Sequence, residues 1–224
     1  MAAILPVAAG ARDAPGTPPS RPNMIFILLD DLPIDDIGVD NPRIHTPNID
    51  RLVHGGTYFP RAAVTTSLCS PSRATILTGM TARNHHVVDN TNSSEEGLTF
   101  FPTYLQRAGY QTALIGKWHM GKDSDAPRPG FDHWVSFAGQ GSYMPMGDFG
   151  QNLRQKLNVD GREVDRKDYI TDELTSYALD WLKQGRDQSK PFFLYLSHKA
   201  VHGPCTPAAR HQGQYKGFTY DLPA

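Results

Sequence analysis

Residues 23–31 read Asn23-Met24-Ile25-Phe26-Ile27-Leu28-Leu29-Asp30-Asp31. The unbroken apolar run between Asn23 and Asp30 is the pattern of a strand buried on both faces of a parallel sheet. It stops abruptly at two adjacent acids. Working outward, two further strands are expected: Tyr110 to Ile115, which leads into Gly116-Lys117-Trp118-His119, and Pro191 to Leu196, whose following loop carries His198 and His202. Helical patterns lie between them. Asp168 to Lys183 is the clearest, with Ile170, Leu174, Tyr177, Ala178, Trp181 and Leu182 on one face and Gly185 closing it. Pro47 to His54 begins after Thr46 as cap, presents Ile49, Leu52 and Val53, and ends at Gly55; Pro102 to Ala108 repeats the form with Gly109 as its stop. Strands alternating with helices imply right-handed crossovers. The expected fold is therefore α/β, a mostly parallel central sheet sandwiched by helices. Gly121 to Lys167 has no sustained period and reads as long, substrate-facing loops with a short strand around Trp134.

Three polar clusters, Asp30-Asp31, Lys117-Trp118-His119 and His202-Gly203-Pro204, fall at or just past the carboxyl ends of expected strands. That edge is where open α/β sheets bind ligands, so groups distant in the chain are expected to meet in one crevice. Each cluster also has a plain structural reading. Two neighbouring carboxylates suit a turn or a helix cap as well as a hard cation such as Ca²⁺ or Mg²⁺. Lys117 could be solvated beside a histidine packed on Trp118. His45, His54, His85, His86, His133, His198 and His211 have no context that suggests chemistry, and Asp35 and Asp36 read as surface residues.

Composition narrows the classes. Lysine and arginine total 22 against 23 acids, a formal charge of -1, so no net field marks a nucleic-acid binder. No apolar run approaches the length of a transmembrane helix. Residues 1–22 combine a short apolar patch (Ile4, Leu5, Val7) with Pro15, Pro18, Pro19 and Pro22 and lack a basic start, which suggests a disordered leader or a degraded export signal. Export is compatible with that reading.

The stretch Leu68-Cys69-Ser70-Pro71-Ser72-Arg73-Ala74-Thr75-Ile76-Leu77-Thr78-Gly79 carries the chemistry. A turn at Pro71 and Ser72 should give way to a helix bearing Ala74, Ile76 and Leu77, which would put Cys69 at a helix N-terminus where free N–H groups favour an anion. Read in isolation, Cys69 is a structural thiol and Arg73 a solvated helix residue. The whole segment, however, resembles the signature of type I sulfatases of the alkaline phosphatase superfamily, with Cys69, Pro71, Ser72, Arg73 and Leu77-Thr78-Gly79 all in place.

The resemblance implies that a formylglycine-generating enzyme oxidises Cys69 to formylglycine, whose hydrate attacks sulfur. It further implies that Asp30, Asp31 and position 69 ligate Ca²⁺ (or Mg²⁺) and that Arg73 holds the diol oxygens. Lys117, in Gly116-Lys117-Trp118-His119, would neutralise a sulfate oxygen, and His119 would trigger sulfate release. His202 would protonate the departing alcohol; here Val201 stands where the family more often has proline. The implied reaction is hydrolysis of an organic sulfate monoester, from a small molecule or a sugar, to alcohol and sulfate. Related alternatives are a phosphonate monoester or phosphodiester hydrolase and a catalytically inactive remnant. Cys205, the other cysteine, is expected to be a free thiol. Family members are longer, and their later part supplies an Asp-Asn pair, a second lysine and a small antiparallel domain. Residues 23–224 are thus expected to be the N-terminal part of a catalytic domain, incomplete at the C-terminus.

Overall fold

A computed structural model of the chain describes residues 2–4, 21–91, 94–121, 124–148 and 154–219. Its strands are β1 (Ala2–Ile4), β2 (Met24–Leu28), β3 (Gln111–Gly116), β4 (His133–Ser136), β5 (Lys156–Val159), β6 (Arg162–Asp165) and β7 (Phe192–Ser197). They form one sheet in the order β1-β2-β7-β3-β4-β5-β6. The central four, β2-β7-β3-β4, run parallel, and the edges are antiparallel. The apolar runs occupy the centre because only there are both faces covered.

The helices are α1 (Pro47–Gly55), α2 (Cys69–Thr78), α3 (Ala82–His85), α4 (Pro102–Arg107) and α5 (Ile170–Asp180), the last continued by a π-helical turn at Trp181–Gly185. Strand alternation sorts the core into two layers. Ala113, Ile115, Leu194 and Leu196 pack with Ile170, Leu174 and Ala178 of α5 and with Trp181. On the opposite face Leu114, Phe193, Tyr195, Phe26 and Leu28 pack with Ala74 and Leu77 of α2, together with Trp118, Trp134 and Phe100. The sheet is therefore sandwiched. One expectation needs correcting: β2 is not buried on both faces, because Ile27 remains 38% exposed. The α5 layer lies chiefly over β3 and β7, and from β2 it is Ile25 that packs against it.

Two local differences from the sequence expectation have physical causes, and a third position fixes how closely two strands approach. The stretch expected to be loops after Gly121 contains the hairpin β5–β6, closed by Asp160 (φ 50°) and Gly161 (φ 85°). Both central residues are left-handed, the geometry of the tight turn that an Asp-Gly pair favours. Thr46 precedes α1, yet its hydroxyl does not cap the helix; it accepts from the Gly38 N–H at 2.7 Å and donates to Asp50 at 2.8 Å. The third is at Gly116, where β3 ends with φ 122° and a Cβ would lie 1.8 Å from the Ser197 carbonyl oxygen. Only glycine allows that approach. Of the expected leader, residues 2–4 form β1 and 5–20 lie outside the described residues, as do 122–123 and 149–153 of the expected substrate-facing loops.

Candidate active site

Register builds the site. Leu28 of β2 and Gly116 of β3 both pair with Ser197 of β7, so three neighbouring strands end level. Asp30, Lys117 and the His198–Pro204 loop therefore leave the sheet side by side at its carboxyl edge. Backbone bonds lock the exits: Lys117 N–H donates to Ser197 O (2.7 Å), His198 N–H to Leu28 O (2.9 Å), Asp30 N–H to Ala200 O (2.9 Å) and Val201 N–H to Asp30 O (2.8 Å).

α2 delivers Cys69 and Arg73 from above this edge. The helix begins at Cys69 itself, and Gly79 (φ 70°) ends it by donating to Thr75 O at 2.8 Å. Half-buried Cys69 thus occupies the first turn, where the helix dipole favours negative charge. The Ser70 N–H beside it is taken by the Asn90 side-chain oxygen at 2.9 Å. One turn on, the buried Arg73 guanidinium donates to Lys117 O (2.7 Å), Ser197 Oγ (2.6 Å) and Asp30 Oδ1 (3.2 Å). Arg73 therefore holds the ends of three strands together.

The buried charges balance as a group. Lys117 Nζ donates to Asp30 Oδ2 and to Gln140 Oε1 and lies 3.8 Å from Cys69 Sγ. Burial works against the Asp30 charge, but Arg73 and Lys117 outweigh it and hold its carboxyl below the usual range. Burial, and then Arg73, pull Lys117 below an ordinary lysine, opposed by Asp30. His119 is buried and its pKa is pushed down to about 4, first by desolvation and then by the charges of Lys117 and Arg73. At neutral pH it is an uncharged imidazole. The chain has already left the sheet at Gly116, and His119 adopts φ 51°. Its placement beside Lys117 is set by that left-handed residue and not by strand alternation.

His202 enters from the β7 loop. Its Nδ1 lies 2.8 Å from Gly203 O, and because a carbonyl can only accept, Nδ1 carries a hydrogen. Nε2 is left facing Asp31 Oδ2 at 3.6 Å. Among the described residues, Asp30, Cys69 and His202 are the group whose potential ligand atoms lie within 4.8 Å of one another. Asp31, with its side chain 60% exposed and φ 59°, sits at the rim beside His202. A carboxylate with a thiol and an imidazole is a mixed donor set. An oxygen function at position 69, together with Asp30 and Asp31, would make it the hard set that fits Ca²⁺ or Mg²⁺.

The structure thus gathers Asp30, Cys69, Arg73, Lys117, His119 and His202 in one place, with Asp31 at its edge. It adds Gln140 and Ser197, which sequence reasoning missed. Ser197 was within reach of that reasoning, as the last residue of a strand at the functional edge. Gln140 sits between Gly139 and Gly141, both at positive φ, in the aperiodic stretch, and only its tertiary contact reveals it. His85 and His198 are buried and structural in position, with His85 Nε2 3.1 Å from Thr75 Oγ1.

The sulfatase family profile matches residues 22–224 of this chain. The chain belongs to the sulfatase family. This sulfatase chain is similar to the N-acetylglucosamine-6-O-sulfatase of Bacteroides thetaiotaomicron, with 36% identity over 205 residues that make up 91% of this chain and 35% of the relative. Among solved structures it is similar to a complex with its substrate D-glucosamine-2-N, 6-O-disulfate (36% identity, TM-score 0.79, 92% of this chain and 40% of that one). It is also similar to Ps i-CgsB in complex with k-i-k-neocarrahexaose (31% identity, TM-score 0.76, 90% and 50%). The sulfatase chain therefore spans well under two thirds of the relatives that it matches. No helix among the described residues is long and apolar enough to cross a membrane.

Proposed function

We propose that this chain supplies the nucleophile and most of the acid–base groups of an enzyme that hydrolyses an organic sulfate monoester, with a sulfated hexosamine as the favoured substrate class. The observation that carries the proposal is the convergence of Cys69, Asp30 and His202 within 4.8 Å, with Lys117 3.8 Å from the Cys69 sulfur. The hexosamine class rests on what the matched relatives are named for.

Oxidised to formylglycine by its generating enzyme, position 69 would supply a hydrated aldehyde, one hydroxyl of which attacks sulfur while the other expels sulfate. Ca²⁺ or Mg²⁺ held by Asp30, Asp31 and position 69 would supply positive charge against the sulfate oxygens. Lys117 and Arg73 add fixed cations at the same place, in a site shielded from water, where they are worth most. His119, neutral at pH 7, accepts a proton from position 69. His202 presents Nε2 toward the rim, 3.6 Å from Asp31 Oδ2, and in its doubly protonated form donates a proton to the departing alcohol oxygen.

The reading of a catalytically inactive chain also has an observation behind it. Both oxygens of Asp30 are engaged by Arg73 and Lys117, so a metal ion must compete with two cations unless further anionic ligands join the site. The test is turnover of 4-nitrophenyl sulfate, glucosamine 6-sulfate and an aryl phosphonate monoester by the protein coexpressed with the formylglycine-generating enzyme. Preference for sulfate over phosphonate supports the proposal, preference for phosphonate supports the phosphonate or phosphodiester hydrolase alternative, and no turnover with formylglycine present supports the inactive reading.

A further inference from the structure

Lys199 is a lysine with only 1% of its surface exposed, and no carboxylate lies within bonding distance of it among the described residues. Burying an ammonium costs several kcal/mol, so an apolar residue would be cheaper at this point. Its nitrogen donates to Gly203 O at 3.0 Å and lies 4.9 Å from the centre of the Tyr143 ring. Gly203 O is the same oxygen that accepts from His202 Nδ1. Tyr143, also 1% exposed, donates its hydroxyl to His202 O at 2.6 Å. Tyr169 stacks on Tyr143 with ring centres 5.7 Å apart and donates to Thr206 O at 2.8 Å. Three side chains outside the reacting group therefore hold carbonyls of the loop that bears His202, those of His202, Gly203 and Thr206.

The bracket is itself anchored. Tyr143 N–H donates to Asp148 Oδ1 (2.9 Å), and Tyr143 O accepts from Ile170 N–H (2.9 Å) and from Arg166 Nη2 (3.0 Å). Buried Arg166 is in turn paired with Glu173 of α5 at 3.2 Å. Through this chain of contacts, α5, which lies over the opposite side of the sheet from α2, reaches the His202 loop.

We infer that Lys199, Tyr143 and Tyr169 are positioning residues that fix the His202 imidazole with Nδ1 hydrogen-bonded to Gly203 and Nε2 turned toward Asp31 at the rim of the site, so that it meets the leaving alcohol of a poor-leaving-group sulfate ester. The catalytic half of this inference rests on the role proposed for His202; the structural half does not. Lys199 supplies the donor that holds the Gly203 carbonyl in place, Tyr143 holds the preceding carbonyl, and Tyr169 stiffens Tyr143 from behind. A methionine at 199 fills similar volume but leaves Gly203 O free to turn away from the imidazole.

The experiment compares wild type with Lys199→Met and Tyr143→Phe by long-range proton–nitrogen correlation of the His202 ring at neutral pH, using the backbone amide spectrum as the control for folding. Wild type should show a hydrogen held on Nδ1, and both variants should lose that ordered Nδ1 signature while the fold persists. Unchanged His202 ring signals in folded variants would overturn the inference. Should either variant fail to fold, Tyr169→Phe removes one hydroxyl from a half-buried ring, and the same two outcomes decide. In an active preparation, Lys199→Met should lower kcat on an alkyl or sugar sulfate by about tenfold or more and leave 4-nitrophenyl sulfate nearly unaffected, because only the former needs a proton on its leaving group. Altered ring signals with equal losses on both substrates would uphold the bracket and refute the acid role of His202.

Discussion

Replacing Arg73 by methionine tests whether the buried charges form one closed unit. The side chain is 2% exposed, and its loss removes the donor to Lys117 O and Ser197 Oγ and one of the two cations bound to Asp30. Methionine fills much of the space, so the cost comes from unpaired polar groups. Breaking one partner out of a buried ion pair costs about 3–5 kcal/mol. For a chain of this size that lowers Tm by roughly 6–20 °C, at about 2–4 °C per kcal/mol. Asp30→Asn should cost a similar amount, since it leaves Arg73 and Lys117 repelling each other without a counterion. The double variant removes both ends of the pair and should be destabilised by clearly less than the sum of the two. The assay is urea unfolding of the four proteins with a chelator present, so that no metal ion enters the cycle. A coupling of about 1 kcal/mol or more is expected; additivity within about 0.5 kcal/mol would refute the claim that Arg73 and Asp30 act as one unit.

Two glycines separate strain from space. Gly116→Ala puts a Cβ 1.8 Å from Ser197 O at φ 122° and should cost at least about 3 kcal/mol, whereas Gly161→Ala at φ 85° meets nothing within 4 Å and should cost about 1–2 kcal/mol, both read by thermal unfolding; equal costs would contradict the close approach of β3 and β7. His198 is 7% exposed, and desolvation lowers its pKa from 6.5 to about 4. The folded state resists its protonation, so stability is intact above pH 6.5 and falls as pH drops from there toward 4, by on the order of 3 kcal/mol. His198→Phe should remove that part of the acid dependence, with the slope contributed by His119 remaining, and an unchanged pH profile of unfolding free energy would count against the assignment. In an active preparation His119→Ala should accumulate a sulfated enzyme visible by mass spectrometry, because attack proceeds while release stalls; turnover without such an adduct would remove His119 from the release step.

Much of this architecture was legible from runs of residues. β3 and β7 carry apolar runs, Ala113 to Ile115 and Phe192 to Leu196, because they sit at the sheet centre, and α5 declares itself by its one-sided stripe. The functional edge was legible for the same reason, since Asp30, Lys117 and His202 each follow an apolar run. The β5–β6 hairpin is hard to see although Asp160-Gly161 stands between Leu157-Asn158-Val159 and Arg162-Glu163-Val164, because a hairpin needs only short alternation and leaves no sustained period in the sequence. Ile27 escaped because full burial depends on a helix covering that strand, which no local pattern reports. Gln140, Tyr143 and Lys199 were out of reach for a deeper reason. Their roles come from contacts with Lys117, His202 and Gly203, and nothing in a glutamine, tyrosine or lysine by itself marks the neighbour that it will meet.

The central claim is that position 69 works as an oxygen nucleophile made from cysteine. Its most direct test is the mass of the Cys69 peptide from protein coexpressed with the formylglycine-generating enzyme and assayed on a sulfate ester. Conversion of the side chain from CH₂SH to CHO should appear as the loss of H₂S and gain of one oxygen, and the rate should rise in proportion to the converted fraction. Sulfate ester hydrolysis by protein whose Cys69 retains its sulfur would contradict the account.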